Sequence, residues 1–249
     1  MSETLDVIYR DEYLIAIHKP AGLLVHRTVL DRNETRFAVQ LLRDQIGQYV
    51  YPVHRLDRGT SGVLLFALDK EIGKPVSAQF EAQQVDKTYL AVVRGHPPEA
   101  GSIAHALTRQ YDDYEFRSAN ASTEAQPAVT HYRRLAVTEL PHQVDIYPTS
   151  RYALLELKPQ TGRRHQLRRH LKHLAHPIIG DATYGKGRHN RLFQELFGCR
   201  RMLLACLEMQ IAHPVSGLPL RLCAPLADDF VAVVESLGWT AALPPKETH

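Results

Sequence analysis

Twelve residues constrain the fold of this chain more than any other stretch: His54-Arg55-Leu56-Asp57-Arg58-Gly59-Thr60-Ser61-Gly62-Val63-Leu64-Leu65. Tyr51 and Val53 before them favour extended backbone, and Gly62 to Leu68 reads as a strand buried on both faces. Asp57 is therefore confined to a short turn between two fixed elements, with Arg55 and Arg58 on either side of it. A nearby positive charge favours the ionised carboxylate, which is the form a nucleophile or base needs at neutral pH. Spacing alone admits a second reading, in which Asp57 caps the turn and the arginines are solvated.

The 249 residues, 44% of them hydrophobic, suffice for a sizeable core in one large domain or two lobes sharing a sheet. Cys199, Cys206 and Cys223 form no CxxC pair and no disulfide framework, as expected of a reducing cytoplasm. Met1 to Asp6 is acidic and polar, unlike a signal peptide, and no apolar run reaches the ~18 residues that span a bilayer. The net charge of +3 is unevenly spread: residues 1–150 carry −3 and residues 151–249 carry +6. Within 157–180 there are six Lys/Arg, four His and no acid, the electrostatic footprint of a phosphate-binding surface, although solvated basic helix faces are common too.

Periodicity predicts a hairpin over 7–18 turning at Arg10-Asp11-Glu12, an amphipathic helix over 36–47 ended by Gly47, and a helix over 75–85 opened by Pro75. Strands follow at Lys87–Arg94, 128–137, 143–147 and 152–158, and a helix over about 163–175. Two strands span about 203–223 and a last helix 226–237. Residues 97–127 read as mostly loop with one short hairpin, and 185–191, with Lys186, Arg188, His189 and Arg191, as a basic loop. Strands interspersed with helices give an α+β fold with a mixed, mainly antiparallel sheet and flanking helices. We expect a single domain over 1–239 and a flexible tail over 240–249.

The His54–Gly62 stretch resembles the HRLD-x-x-TSG motif of the RluA-type RNA pseudouridine synthases. Other stretches of that family follow collinearly over roughly residues 7–225: Lys19-Pro20-Ala21-Gly22 with Val25-His26; Lys87-Thr88-Tyr89-Leu90-Ala91; Thr161-Gly162-Arg163-Arg164-His165-Gln166-Leu167-Arg168-Arg169-His170; and His176-Pro177-Ile178-Ile179-Gly180-Asp181. Leu24-Val25-His26-Arg27, Leu30-Asp31-Arg32, Arg43–Gln48 and Gln126–Arg133 look most like a tRNA-modifying branch acting at U65.

The resemblance implies a long sheet with a central RNA-binding cleft, and conversion of a uridine to pseudouridine without a cofactor. Asp57 would be the catalytic aspartate, attacking the ribose C1′ or acting as a base toward the sugar. Arg168 would be its salt-bridge partner, although phosphate contact also fits its place in the basic stretch. Tyr89 would stack on the uracil and help remove the C5 proton; a tyrosine in a strand is otherwise a core residue. Arg58 would fill the space left by a flipped base, with His54 and Arg55 supporting the turn beside the substrate. Arg163, Arg164 and Arg169 would contact the RNA backbone, and Leu167 would line the binding site. The fourteen histidines raise a metal site, but His165, His170, His173 and His176 lack ligand spacing and alternate with arginines, so no metal is expected. Nor is there a Gly-rich phosphate loop or dinucleotide fingerprint. The partner expected is RNA, tRNA first, with no membrane, for a cytoplasmic monomer. The alternatives are a synthase acting on another tRNA or a 23S rRNA uridine, a non-catalytic RNA-binding protein or chaperone, and a metal-dependent nuclease.

Overall fold

A computed structural model describes residues 4–26, 35–110 and 124–244. The strands are β1 (Asp6–Arg10), β2 (Leu14–Lys19), β3 (Tyr51–Pro52), β4 (Ser61–Ala67), β5 (Asp86–Arg94), β6 (Ala100–Ala104), β7 (Leu107–Thr108), β8 (Ala125–Gln126), β9 (Val129–Leu140), β10 (Ser150–Pro159), β11 (Leu204–Ala212) and β12 (Pro219–Cys223). The helices are α1 (Ala38–Ile46), α2 (Lys70–Glu81), α3 (Gln166–His173), α4 (Gly187–Phe197) and α5 (Asp228–Ser236). Ten strands form one sheet in the order β1-β2-β4-β11-β5-β10-β9-β6, with β3 beside β4 and β12 beside β11, while β7 and β8 pair separately. Every strand pair in the ten-stranded sheet is antiparallel except β4 with β11, where Ser61 faces Ala205 and Gly62 faces Cys206. The expected α+β fold with a mixed, mainly antiparallel sheet is the fold observed.

That parallel contact fuses two antiparallel halves. In the first, β1, β2 and β4 pack under α1 and α2 around Leu14, Ile17, Leu42, Leu64, Phe66 and Val76. In the second, alternation along β5 sends Leu90 and Val92 to one face, against Phe193 of α4 and Phe230 of α5. Ala91 and Val93 go to the other face, with Leu167 and Leu171 of α3. Gly62 makes the fusion possible. Its φ is +112°, and a Cβ there would lie 1.9 Å from the Cys206 carbonyl oxygen.

Four elements differ from the sequence reading. α2 starts at Lys70, capped by Asp69, whose side chain accepts from the Glu71 and Ile72 amides. Pro75 therefore lies inside the helix and not at its start. Residues 143–147 form no strand: β9 continues to Leu140, and Ile146 is exposed. The helix expected over 163–175 is confined to Gln166–His173. The basic loop expected at 185–191 is the first turn of α4, and His189 is buried there between the Tyr152 hydroxyl and the Asp145 carboxylate. Thr240–Ala242 form a 3-10 turn after the buried Trp239. In the stretch read as mostly loop, Ala100–Ala104 is β6, paired with β9 in the main sheet, and β7 pairs with β8; Arg27, Leu30–Arg32, residues 111–123 and the tail from 245 lie outside the described residues. No helix among the described residues is long and apolar enough to cross a membrane.

Candidate active site

Asp57 sits on the turn into β4, at the junction of the two half-sheets. The Thr60 amide donates to the Asp57 carbonyl at 3.0 Å, closing the turn. The turn is also held from the N-terminal side. Lys19, fully buried, donates from Nζ to the carbonyls of Pro20 (2.9 Å), Leu23 (2.7 Å) and Arg58 (3.2 Å). The Gly22 amide donates to the same Arg58 carbonyl at 2.8 Å, and Arg58 Nε donates back to the Gly22 carbonyl at 3.1 Å. On the far side, Ser61 Oγ accepts from Arg201 at 2.6 Å. The Lys19-Pro20-Ala21-Gly22 segment therefore acts as a brace for the Asp57 turn.

The charged partner of Asp57 comes from 111 residues away: Arg168, on α3, donates from Nη1 to Asp57 Oδ2 at 3.0 Å. The rest of the Arg168 fork is taken by Asp181, Nε to Oδ2 at 2.7 Å and Nη2 to Oδ1 at 2.9 Å. Asp181 Oδ1 also accepts from the amides of Thr183 and Tyr184. The Arg168 guanidinium carbon lies 5.0 Å from the centre of the Tyr184 ring. Burial opposes the charge of each partner. In Asp181 the Arg168 hydrogen bond and the two amides outweigh it and hold the carboxyl below its usual range. In Arg168 the two carboxylates outweigh it and raise the guanidinium further.

Asp57, Tyr89 and Arg168 line one cavity of about 400 Å³, within the ~300–1,000 Å³ usual for small-molecule sites. His54, Arg55, Arg163 and Leu167 line it as well. Three separated segments (the β4 turn, β5 and α3) thus deliver the sequence-derived residues to one place. Burial, with the neighbouring Cys206 thiol and then Asp57 adding to it, pushes the Tyr89 hydroxyl well above its ordinary value, so it stays protonated. Burial likewise pushes Cys206 up to about 12. His54 Nε2 accepts from the Leu65 amide at 2.9 Å and its ring stacks on Phe80 at 4.8 Å, fixing the start of the turn; burial lowers it to about 3.

Arg58, Arg164 and Arg169 do not line the cavity. The Arg169 fork donates to Thr108 Oγ1 and its carbonyl, fastening α3 to β7. Sequence reasoning gave no role to Asp181, Gln166 or Tyr184. Gln166 Oε1 accepts from Thr161 Oγ1 and the Arg163 amide, while its Nε2 donates to the Val129 carbonyl and Thr130 Oγ1, locking the head of α3 to β9. The signal was present in the motifs containing Gln166 and Asp181, but their partners are distant in sequence. No cluster of metal-ligating side chains occurs among the described residues.

The arrangement offers one carboxylate, oriented by a doubly paired arginine, beside an aromatic ring in a cavity of about 400 Å³. Comparison with known proteins agrees. A protein from Pectobacterium carotovorum subsp. carotovorum named tRNA pseudouridine synthase C is 53% identical over 240 residues, 96% of this chain and 64% of that protein, so this chain spans just under two thirds of its length. A Yersinia pestis protein of the same name is 48% identical over 96% of this chain and 93% of its own. The structure titled Human RNA Pseudouridylate Synthase Domain Containing 4 superposes with a TM-score of 0.72 at 27% identity, covering 94% of this chain and 93% of that one. The sequence profile described as RNA pseudouridylate synthase matches residues 13–173, and the chain belongs to that family.

Proposed function

We propose that this protein isomerises a uridine of tRNA, U65, to pseudouridine, with Asp57, Tyr89 and Arg168 as its catalytic residues and no cofactor. The convergence of these three side chains on one cavity is the observation that carries the reading. Two of the relatives compared above bear a tRNA synthase name. The reaction breaks the N1–C1′ bond, turns the uracil and joins C5 to C1′; the C5 hydrogen leaves and N1 gains a proton, so nothing is oxidised or hydrolysed. Asp57 stabilises the positive charge that develops on the ribose, by attack at C1′ or by accepting a sugar proton. Arg168, fixed by Asp181, keeps the carboxylate pointed at the sugar. Tyr89 is protonated at neutral pH, so its part is to stack on the base and not to act as a phenolate.

A uridine within a paired stem must leave the stack to enter the cavity, at a cost of a few kcal/mol. Arg58, beside Asp57 and now holding the Gly22 carbonyl, would swing out to occupy the vacated position. His54 and Arg55 hold the turn, Leu167 provides an apolar wall, and Arg163, Arg164 and Arg169 carry the backbone charge of the RNA. A cytoplasmic monomer belongs to the same reading and is checked by sizing with and without tRNA. The activity itself is tested by tritium release from tRNA transcribed with 5-tritiated uridine. We expect one equivalent released per tRNA by the wild type and none by Asp57→Asn. Release from ribosomal RNA alone would overturn the substrate, and no release from either RNA would overturn the enzyme reading.

A further inference from the structure

His165 takes no part in the account so far, yet it is built into the site with unusual care. It opens α3 in the left-handed region, at φ 54° and ψ 26°, where residues other than glycine are uncommon. The ring is held from one side only. Its Nδ1 lies 3.0 Å from the Tyr184 hydroxyl, against whose ring it packs edge-on, and that hydroxyl donates to Gln110 Oε1 at 3.2 Å. The Tyr184 oxygen is thereby left to accept, which puts the ring proton on Nδ1 and turns a bare lone pair on Nε2 towards the cavity.

Nε2 faces Asp57 Oδ1 at 3.9 Å, while Asp57 Oδ2 is the oxygen that takes the Arg168 hydrogen bond. Burial lowers His165 below its ordinary range, with Arg168 and Arg164 acting in the same direction against Asp57 and Asp181. Two acceptors therefore face each other with no proton between them, close enough for one hydroxyl oxygen to sit about 2.8 Å from both and share its proton. Beside the C1′ atom a nucleotide in a chain carries three polar groups: O4′, the uracil O2 and the 2′-hydroxyl. Only the 2′-hydroxyl can donate.

We propose that the single proton of the target nucleotide's 2′-hydroxyl is shared between His165 Nε2 and Asp57 Oδ1 in a three-centre hydrogen bond, which makes His165 the residue that reads ribose against deoxyribose in the site. This rests on the uridine-isomerase reading above. It gives the left-handed histidine a function that a turn residue alone does not need, and ties the orientation of the sugar to the carboxylate that acts on it.

The test is a cycle of two RNAs and three proteins under single turnover. The RNAs are the tRNA with uridine or with 2′-deoxyuridine at the target position. The proteins are the wild type, His165→Asn and His165→Gly; the glycine variant removes the ring in a backbone that glycine favours. The wild type should lose about tenfold or more on the deoxy substrate, as expected for a hydrogen bond to a charged group. Both variants should be slowed similarly on the ribose substrate and should lose less than about threefold more on the deoxy one. A variant too slow to time is compared by equilibrium binding of the two RNAs, with the same pattern expected. A full deoxy penalty in both variants, or a wild type indifferent to the 2′-hydroxyl, overturns the inference and leaves the isomerase reading standing. A wild type that leaves the uridine RNA unchanged overturns the isomerase reading, and this inference with it.

Discussion

Arg168 holds two carboxylates at once, and the more buried of them, Asp181, fixes its position. Asp181 is almost completely buried, with 1% of its side chain exposed against 21% for Asp57, so it acts as the anchor while Asp57 stays open to the cavity, the working end of the proposed reaction. Asp181→Ala should therefore destabilise the fold by about 3 kcal/mol, because it leaves a buried guanidinium half paired. It should lower kcat tenfold or more with little change in tRNA affinity, measured by denaturant unfolding and by single-turnover assays. An unchanged kcat would mean that Asp57 alone is enough to hold Arg168 in place. Asp57→Asn should keep the fold and the RNA affinity while lowering turnover at least ~10³-fold, checked with the same two assays. At this scale Asp57, Tyr89 and Arg168 were legible because each lies in a motif of its own. Asp181 was not, because nothing local relates a residue of one loop to the helix 13 positions before it.

The elements succeed or fail by the same local rules. Gly62 is the point where β4 meets β11, and Gly62→Ala places a methyl against the Cys206 carbonyl in a backbone with φ +112°. The loss should be at least 3 kcal/mol by thermal or denaturant unfolding, with the Asp57 turn loosened as well, since the turn and the strand contact are adjacent. A loss under 1 kcal/mol would show that the two halves do not need this contact. The strand itself was plain in the sequence, because a run buried on both faces has no polar alternation to confuse it. α2 was placed too late because Pro75 was read as a first-turn signal, although Asp69 and the Ile72, Val76, Phe80 spacing mark the true start. α4 was hidden by its own charges. Lys186, Arg188, His189 and Arg191 suggested a loop, while Leu192, Phe193, Leu196 and Phe197 carried the helical spacing. Both errors come from weighting conspicuous residues above periodicity.

The molecule as a whole is a fused pair of half-sheets with its working groups at the seam. Its stability should depend on acid. Burial lowers His54 to about 3 and also depresses His165, His170, His176 and His189 below 6.5. The unfolded chain takes up these protons near pH 6.5 and the folded chain only at lower pH. Stability should thus be full above about pH 6.5 and fall as the pH drops below it, at about 1.4 kcal/mol per pH unit for each proton, until the folded histidines titrate. His54→Gln should remove one proton from that slope between pH 6.5 and about 3 in denaturant titrations. A wild-type stability flat from pH 7 to 4 would contradict the burial of these rings. The basic stretch 157–180, if it carries the RNA backbone as proposed, should make RNA affinity fall steeply with salt, and Lys172→Ala should reduce the log–log slope by about one. The expectation of a phosphate-binding surface came from charge alone. The pairing of Arg168 with Asp57 came from the resemblance, and what stayed hidden is that Arg168 is also spent on Asp181 and Arg169 on Thr108, because a sequence shows where arginines lie and not what they hold. The measurement that bears most directly on the central claim is a map of pseudouridine in unmodified tRNA after treatment with wild type or Asp57→Asn, read as carbodiimide-dependent reverse-transcription stops. The account predicts a single stop reporting position 65 with the wild type and none with the variant. A stop that survives in Asp57→Asn, or no stop with the wild type, would contradict it.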